Sequence, residues 1–271
     1  MKRFLYTTLS TLFLLFSSCE DVVDIPLEDP EPRLVVNALI RVNSQEPINT
    51  VTVGLLLSSN FFADNPPVND ASVTLEDLET GTQYALDLQP DNTGTYTADI
   101  STEVLTSGVM ELQILYKGEL YTATSEFVPS TPIIVLEQGD SSLFDEESIE
   151  IIIGYNDPAD QVNYYLLDYD QGEFFTSEDT FYQGQFIEFS FFHGKASPGD
   201  VLEVSILGAD QRFTNYMNQI LELSGAQGFT PFQTPVSAAR GNIIGPNDHN
   251  RNFALGYFAI AEAYSQTLLI E

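Results

Sequence analysis

Residues 111–127 read ELQILYKGELYTATSEF, and this stretch decides the fold class. Two apolar or alternating runs, 111–116 and 120–127, flank Lys117-Gly118-Glu119. A period of two buries one face of a strand and exposes the other, and glycine adopts the backbone angles of a tight bend. The stretch therefore predicts a β-hairpin in a protein built mainly of strands.

Further strands are expected on the amino-terminal side of this hairpin. Proline and glycine clusters such as Asn65-Pro66-Pro67 and 89–94 separate the runs, since these residues favour turns. The runs cover residues 34–40, 51–57, 72–75, 84–88 and 95–100. Seven or eight strands at this spacing predict a β-sandwich over residues 33–128.

On the carboxyl side, Val128-Pro129-Ser130-Thr131-Pro132 is the predicted boundary, because proline is rarely tolerated inside a central strand. A second β-rich unit is expected over residues 129–271. Its strands are predicted at 133–136, 148–155, 162–169, 185–192, 201–207 and 254–261. The predicted fold class is thus mainly β, with two sandwich units that are immunoglobulin-like or transthyretin-like.

One short helix is predicted in the second unit, near residues 210–224. Asp210 can cap its amino terminus, and Ser224-Gly225 marks its end. Apolar residues recur there every three or four positions, as on a buried helix face: Phe213, Tyr216, Met217, Ile220 and Leu221. Residues 227–252 are rich in Gly, Pro and Asn and predict a long loop.

The composition limits the function. Nine Lys and Arg residues stand against 40 Asp and Glu residues, for a formal net charge of -31, which opposes binding to nucleic-acid phosphates. One cysteine and two histidines exclude most zinc and copper sites built from several imidazoles or thiolates. We therefore expect no nucleic-acid partner, no metal and no cofactor.

The amino terminus has the layout of a secretory signal over residues 1–18. Lys2 and Arg3 precede an apolar run that is shorter than the roughly 20 residues needed to cross a bilayer. Phe16-Ser17-Ser18-Cys19 resembles a bacterial lipobox, which predicts cleavage between Ser18 and Cys19 and lipid attachment to Cys19. The acidic, proline-containing residues 19–32 predict an extended stalk.

Three stretches of the mature chain resemble the Bacteroidota lipoprotein family known as domain of unknown function 4249. The first is the stalk 19–25 followed by 32–38, and the second is 198–204 leading into the helix around Tyr216. The third combines Pro231-Phe232, Pro235-Val236, Gly241-Asn242-Ile243 and Gly256-Tyr257-Phe258, in that order. The resemblance implies a lipid-anchored protein of the outer membrane, linked with TonB-dependent nutrient transporters. Glu20 and Asp21, directly after Cys19, resemble the acidic run that marks such lipoproteins for the cell surface. It supplies no catalytic residues.

Several residue groups could carry chemistry, and each also fits a plain structural role. Asp168 with Asp170, and 145–147, are close acidic residues typical of a solvated face, and 168–173 only partly matches a calcium loop. His193 and His249 have no nucleophile motif beside them. The aromatic run 181–192 fits core packing, or ligand stacking if its rings are exposed. Gly241, Asn242 and Gly256 are expected to shape the backbone, and the alternative is that their loop forms a rim that contacts a partner or ligand.

No catalytic residue is therefore predicted, and the ligand is left unidentified. The favoured hypothesis is a non-catalytic lipoprotein that binds a ligand for, or docks on, a TonB-dependent transporter. The alternatives are a surface glycan hydrolase that uses two carboxylates, and a protein of envelope assembly or adhesion.

Overall fold

The computed structural model describes residues 31–60, 63–140, 148–159, 161–224, 239–246 and 253–271. Residues 1–18 and most of the stalk, including Ser18 and Cys19, lie outside these ranges, as do 145–147 and His249. The described part contains fourteen strands and two helices, numbered here in chain order. The strands are β1 (Leu34–Val42), β2 (Ile48–Leu57), β3 (Ser72–Asp77), β4 (Thr82–Leu88), β5 (Thr95–Ser101), β6 (Val109–Tyr116), β7 (Glu119–Val128), β8 (Ile133–Gln138), β9 (Ile149–Asn156), β10 (Tyr164–Asp168), β11 (Phe174–Glu178), β12 (Phe186–His193), β13 (Val201–Ala209) and β14 (Leu255–Leu269). The helices are α1 (Thr102–Thr106) and α2 (Gln211–Ser224).

The predicted hairpin at 111–127 is confirmed. β6 and β7 pair antiparallel, with Tyr116 opposite Glu119, so Lys117 and Gly118 form a two-residue loop. Both have positive φ, 49° and 80°, as a turn that matches the twist of two adjacent strands requires. Glycine takes the second position at little steric cost.

The amino-terminal strands close into a barrel-like sheet. The strand order is β1-β2-β5-β4-β3-β6-β7-β14, and β14 pairs again with β1, which makes a closed ring of eight strands. Side chains alternate along each strand; in β1 the inward positions include Leu34, Val36 and Ala38. Because the sheet is closed, each of these eight strands pairs with a neighbour on both sides. The core they surround is almost entirely aliphatic.

β14 is the element that joins the two halves of the chain. Its first half, 255–262, runs parallel to β1, and its second half, 263–269, pairs antiparallel with β13. β13 also pairs with β10, which in turn pairs with β11. One eleven-stranded sheet therefore spans both halves. The ion pair between Arg41 of β1 and Asp168 of β10 adds a side-chain link across the same junction.

The carboxyl-terminal half has three layers. A separate sheet, β12-β9-β8, packs on one face of the β13-β10-β11 part of the large sheet, and α2 packs on the other face. Because both faces are covered, β10 and β13 are nearly continuous buried runs rather than alternating ones. Leu167 faces the small sheet, whereas Leu166 faces α2.

Mainly β structure is confirmed, and the finer prediction needs correction in two places. Two separate sandwiches were expected, but β14 comes from the second half and completes a closed sheet in the first. Periodicity shows which face of a strand is buried but not its partner, so the closure was missed. One helix was expected, and α1 is a second; five residues are too few for a helical period to be visible.

The helix near 210–224 is confirmed as α2, with the Phe213 N–H donating to Asp210 Oδ1 at 2.6 Å as an amino-terminal cap. The predicted boundary at 129 falls between β7 and β8 and stays a prediction, while residues 32–271 group as one compact unit. In the described ranges, no helix combines the length and apolarity that crossing a membrane requires.

Candidate functional site

A cleft of about 530 Å³ lies between α2 and the strands β7 and β14. One wall is the face of α2 that carries Arg212, Asn215 and Gln219. The opposite wall comes from residues 122–125 of β7, and residues 240–244 lie along it. The volume is within the range of small-molecule sites, which usually measure 300 to 1,000 Å³.

The amphipathic pattern of α2 explains this wall. The buried side of the helix, including Phe213 and Leu221, packs on the sheet. Arg212, Asn215 and Gln219 are spaced three and four residues apart, so they share a different face of the same helix. That polar spacing is visible in the sequence and was the signal by which the site could have been found.

The segment 240–244 is fixed by the motif that was expected to shape the backbone. The Asn242 Nδ2 donates to the Phe258 carbonyl at 2.8 Å, and the Phe258 N–H donates to Asn242 Oδ1 at 2.8 Å. The amide side chain thus bonds β14 as a neighbouring strand would. Two residues further on, Ile244 and Thr122 exchange backbone hydrogen bonds of 2.7 and 2.8 Å. The structural role predicted for Asn242 is confirmed.

Gly241 and Gly256 allow the same segment to approach the barrel closely. A Cβ on Gly241 would lie 1.6 Å from the Gly256 carbonyl oxygen, and a Cβ on Gly256 would lie 1.8 Å from the Val36 carbonyl oxygen. Gly256 also has a φ of 103°, which side chains rarely permit. Only glycine fits both positions, as the sequence predicted.

Aromatic rings form the deep part of the cleft. The rings of Phe213 and Tyr216 both lie 5.0 Å from the ring of Tyr257, measured between centroids. Burial raises the pKa of Tyr257 to about 12 and raises that of Tyr216 as well. Both phenols are therefore neutral near pH 7, so each presents a flat apolar face and a hydroxyl that donates or accepts a hydrogen bond.

The cleft has an unusual charge for this chain. The described residues include six lysines and arginines, and two of them, Arg212 and Arg240, line it. The Arg240 guanidinium also lies over the ring of Phe253, 5.0 Å from its centroid. Asp210 and Glu111 line the cleft as well, so its formal charges balance, whereas the whole chain has a formal charge of -31.

Two carboxylates reach the cleft, and both are engaged structurally. Asp210 caps α2, and Glu111 Oε2 accepts a hydrogen bond of 2.7 Å from the Gln113 Nε2. General acid and base catalysis requires carboxyl groups aimed at a substrate.

The acidic group at 168–173 is also occupied within the fold. Asp168 Oδ1 accepts from the Asp170 N–H at 2.9 Å, and Asp168 Oδ2 pairs with Arg41. The two oxygens of Asp170 accept from the N–H groups of Gln171 and Glu203. These two bonds, that of Glu203 first, lower the pKa of Asp170. The turn is held by the protein's own donors, as a structural role requires.

His193 lies in the core of the carboxyl-terminal half. It is fully buried; its Nδ1 accepts from the N–H groups of Lys195 and Ala196, and its Nε2 lies 3.1 Å from the Tyr169 carbonyl oxygen. Its imidazole therefore holds the turn that follows β12.

The aromatic run 181–192 is divided between the core and the surface. Phe189 and Phe191 of β12 pack inward, and the Phe191 ring stacks 3.9 Å from that of Tyr169. Phe181 is 93% exposed and Phe186 is 48% exposed. Core packing thus explains the alternating part of the run and leaves two rings facing outward.

Comparisons with known proteins give one informative match. A family model described as Domain of unknown function (DUF4249) matches residues 20–267. No curated protein matches the chain. Among solved structures, the chicken interferon gamma receptor alpha chain is similar at 13% identity, over 66% of this chain and 89% of that chain, with a TM-score of 0.20. A TM-score this low supports no conclusion about fold or function.

Proposed function

The chain belongs to the DUF4249 family, and from this membership and the cleft beside α2 we propose that it is a non-catalytic, lipid-anchored binding protein of the outer membrane. In this proposal the cleft holds a ligand, or a segment of a partner, on behalf of a TonB-dependent nutrient transporter. The two-sandwich organisation that was expected is refined into a barrel and a layered unit sharing β14.

The observation that carries the proposal is the composition of the cleft. Rings of Tyr216 and Tyr257, amide groups of Asn215 and Gln219, and a guanidinium at Arg212 surround one space. Aromatic faces bind apolar surfaces of sugars or peptides, while amides and arginine fix polar groups by hydrogen bonds. The carboxylates that reach the space are engaged in the fold, which supports binding rather than hydrolysis.

The location follows from the amino terminus. Lipid attached to Cys19 would hold at the membrane a body whose charge gives it no attraction to anionic lipid. The acidic residues 19–32 would keep the body at a distance from the head groups. Mass spectrometry of the mature amino terminus tests this part, because an unacylated Cys19 would contradict the anchor.

The cleft is tested by affinity capture from detergent-solubilised outer membrane with the full-length lipoprotein as bait. The double variant Tyr216→Ala/Gln219→Ala alters the cleft, and Leu223→Ala changes an exposed residue of the same helix as a matched control. A transporter recovered with the wild type and the control, but at least about tenfold less with the double variant, is the expected result; such a loss corresponds to about 1.4 kcal/mol.

Equal recovery with all three proteins, or no transporter with the wild type, would contradict the docking role. The hydrolase alternative has its own readout in the same preparation. Release of new reducing ends from surface glycans, lost in Glu111→Gln, would favour hydrolysis over binding.

A further inference from the structure

A buried acidic pair lies at one end of the layered carboxyl-terminal half, far in sequence from the residues of the cleft. Asp157 directly follows β9, and Asp179 directly follows β11. Asn163 precedes β10 and pairs with Asp179 through backbone and side chain. The exposed fractions are 5% for Asp157, 8% for Asn163 and 0% for Asp179.

The hydrogen bonds of this group are incomplete. Asp157 Oδ1 accepts from the Tyr165 hydroxyl at 2.8 Å, and Asp157 Oδ2 accepts from the Gly184 N–H at 2.9 Å. Asp179 Oδ2 accepts from the Asn163 N–H at 2.9 Å. The other oxygens, Asp179 Oδ1 and Asn163 Oδ1, are buried without a partner.

Buried acceptors without partners are costly, so they point to a missing positive group. Only three buried side-chain polar atoms lack a partner among the described residues, and two of them belong to Asn163 and Asp179, which hydrogen-bond each other. Burial, with the charge of Asp157, raises the pKa of Asp179. The side chains of Asp157 and Asp179 also hydrogen-bond each other, so a proton shared by the two carboxyl groups would relieve their repulsion. That proton would leave the amide oxygen of Asn163 without a donor.

A cation satisfies all three residues at once. We propose that Asp157, Asn163 and Asp179 form a binding site for a hard divalent cation, with Ca²⁺ as the best match. The ligands are all oxygens, two from carboxylates and one from an amide, which is the donor set calcium prefers. Ca²⁺ accepts irregular geometry and completes its shell with water, whereas Mg²⁺ demands a near-ideal octahedron.

The proposed site differs from a cluster of surface carboxylates. In the described ranges no three acidic, histidine or cysteine side chains group as a metal site, and here the third ligand is an amide. The nearby pair Asp168 and Asp170 is acidic too, but its oxygens already accept internal hydrogen bonds. Asp170→Asn is therefore the matched control. The proposal is independent of the cleft and of its ligand.

The test uses the full-length chain, stripped with EDTA and returned to 0.15 M salt with 5 mM Mg²⁺ to screen surface charge. Addition of 10 mM Ca²⁺ should raise the Tm of the wild type by about 3 to 5 °C, as expected for a site of millimolar affinity. Asp179→Asn and Asp157→Asn should lose this shift, and Asp170→Asn should keep it.

Terbium luminescence gives a second readout that does not depend on folding stability. The chain has no tryptophan, and the Tyr165 hydroxyl contacts Asp157 directly, so excitation of tyrosine should sensitise one bound Tb³⁺. Ca²⁺ should displace that signal, and Asp179→Asn should remove it.

Loss of the signal in Asp170→Asn as well would assign it to surface carboxylates and overturn the proposal. A wild-type Tm that Ca²⁺ does not move, together with a Tb³⁺ signal unchanged by Asp179→Asn, would overturn it too.

Discussion

The barrel and the layered carboxyl-terminal half share β14 but have different interiors. Twelve polar or charged residues are buried in the described structure; Asn49 and Asp77 precede residue 129, and the other ten follow it. All three buried atoms without a hydrogen-bond partner also lie in the second half. Polar interiors stabilise a fold only when every group is paired, so we infer that the barrel contributes more to the stability of the fold than the second half does.

The difference has a direct cause in the sequences of the strands. In β1 and β2 the buried positions are mostly valine, leucine and isoleucine, which fills the closed barrel with aliphatic groups. In the second half the facing strands carry Tyr155, Tyr165 and Tyr169, whose rings are fully buried. The Tyr165 hydroxyl donates to Asp157, and the Tyr155 hydroxyl lies 3.2 Å from that of Tyr182. These bonds bring further polar groups into the core.

The largest expected effect comes from breaking the strand that both regions share. Gly256→Ala would place a Cβ 1.8 Å from the Val36 carbonyl oxygen at a φ of 103°, so β14 would have to leave β1. We expect a loss of more than about 3 kcal/mol in the free energy of unfolding, and low soluble yield. Denaturant unfolding and expression level measure both.

Gly118→Ala is the control for Gly256→Ala. Its φ is 80°, but a Cβ there would meet no atom within 4 Å. It isolates the backbone strain, expected at about 1 kcal/mol. Equal effects of the two substitutions would show that the close approach of β14 to β1 contributes little.

The next largest effect is expected from a substitution that releases the segment 240–244 from the barrel. Asn242→Ala removes both hydrogen bonds to the Phe258 backbone, and we expect a loss of about 2 kcal/mol because two main-chain groups are left unpaired. Asn242→Asp keeps the acceptor and loses the donor, so its loss should be smaller. A change within experimental error for Asn242→Ala would mean that water replaces the side chain.

The contrast between the regions also shows what could be predicted from sequence. The hairpin at Lys117-Gly118 and the helix capped by Asp210 were predictable, because their signals are local. The closure of β14 on β1 was not predictable, because Val36 pairs with Gly256, a residue more than 200 positions away. The acidic pair was missed for the same reason: Asn156-Asp157-Pro158 predicts a turn, and nothing local places Asp179 beside it.

The polar interior should make the second half sensitive to pH. Burial and the Asp157 charge raise the pKa of Asp179 above its unfolded value, so the native state holds this proton more tightly. The contribution of Asp179 to stability is then greatest at low pH and falls as pH rises from the unfolded value of 3.8 through the folded pKa. In EDTA, Asp179→Asn should abolish this fall, so its Tm advantage over the wild type should grow between pH 4 and pH 7.

Asp170→Asn is the control for that pH effect, because backbone hydrogen bonds lower the pKa of Asp170. Its contribution has the opposite sign: it is present at neutral pH and lost as pH falls through the folded pKa. A parallel pH profile for Asp179→Asn and the wild type would show that the buried pair is not the source of the pH dependence.

The smallest effect is the sharpest test of the polar interior, because one substitution is expected to act with opposite signs at two sites. Tyr169 and Tyr165 are both fully buried in the same core cluster. The Tyr169 hydroxyl has no partner, whereas the Tyr165 hydroxyl donates to Asp157.

Tyr169→Phe keeps the stacking on Phe191 and removes an unpaired polar group, so it should stabilise the protein by about 1 kcal/mol. Tyr165→Phe should destabilise it by about 1 to 3 kcal/mol, because it deprives a buried carboxylate of a donor. Urea unfolding with an unchanged m value measures both, and a loss of stability in both variants would mean that an ordered water completes the hydrogen bonds of Tyr169.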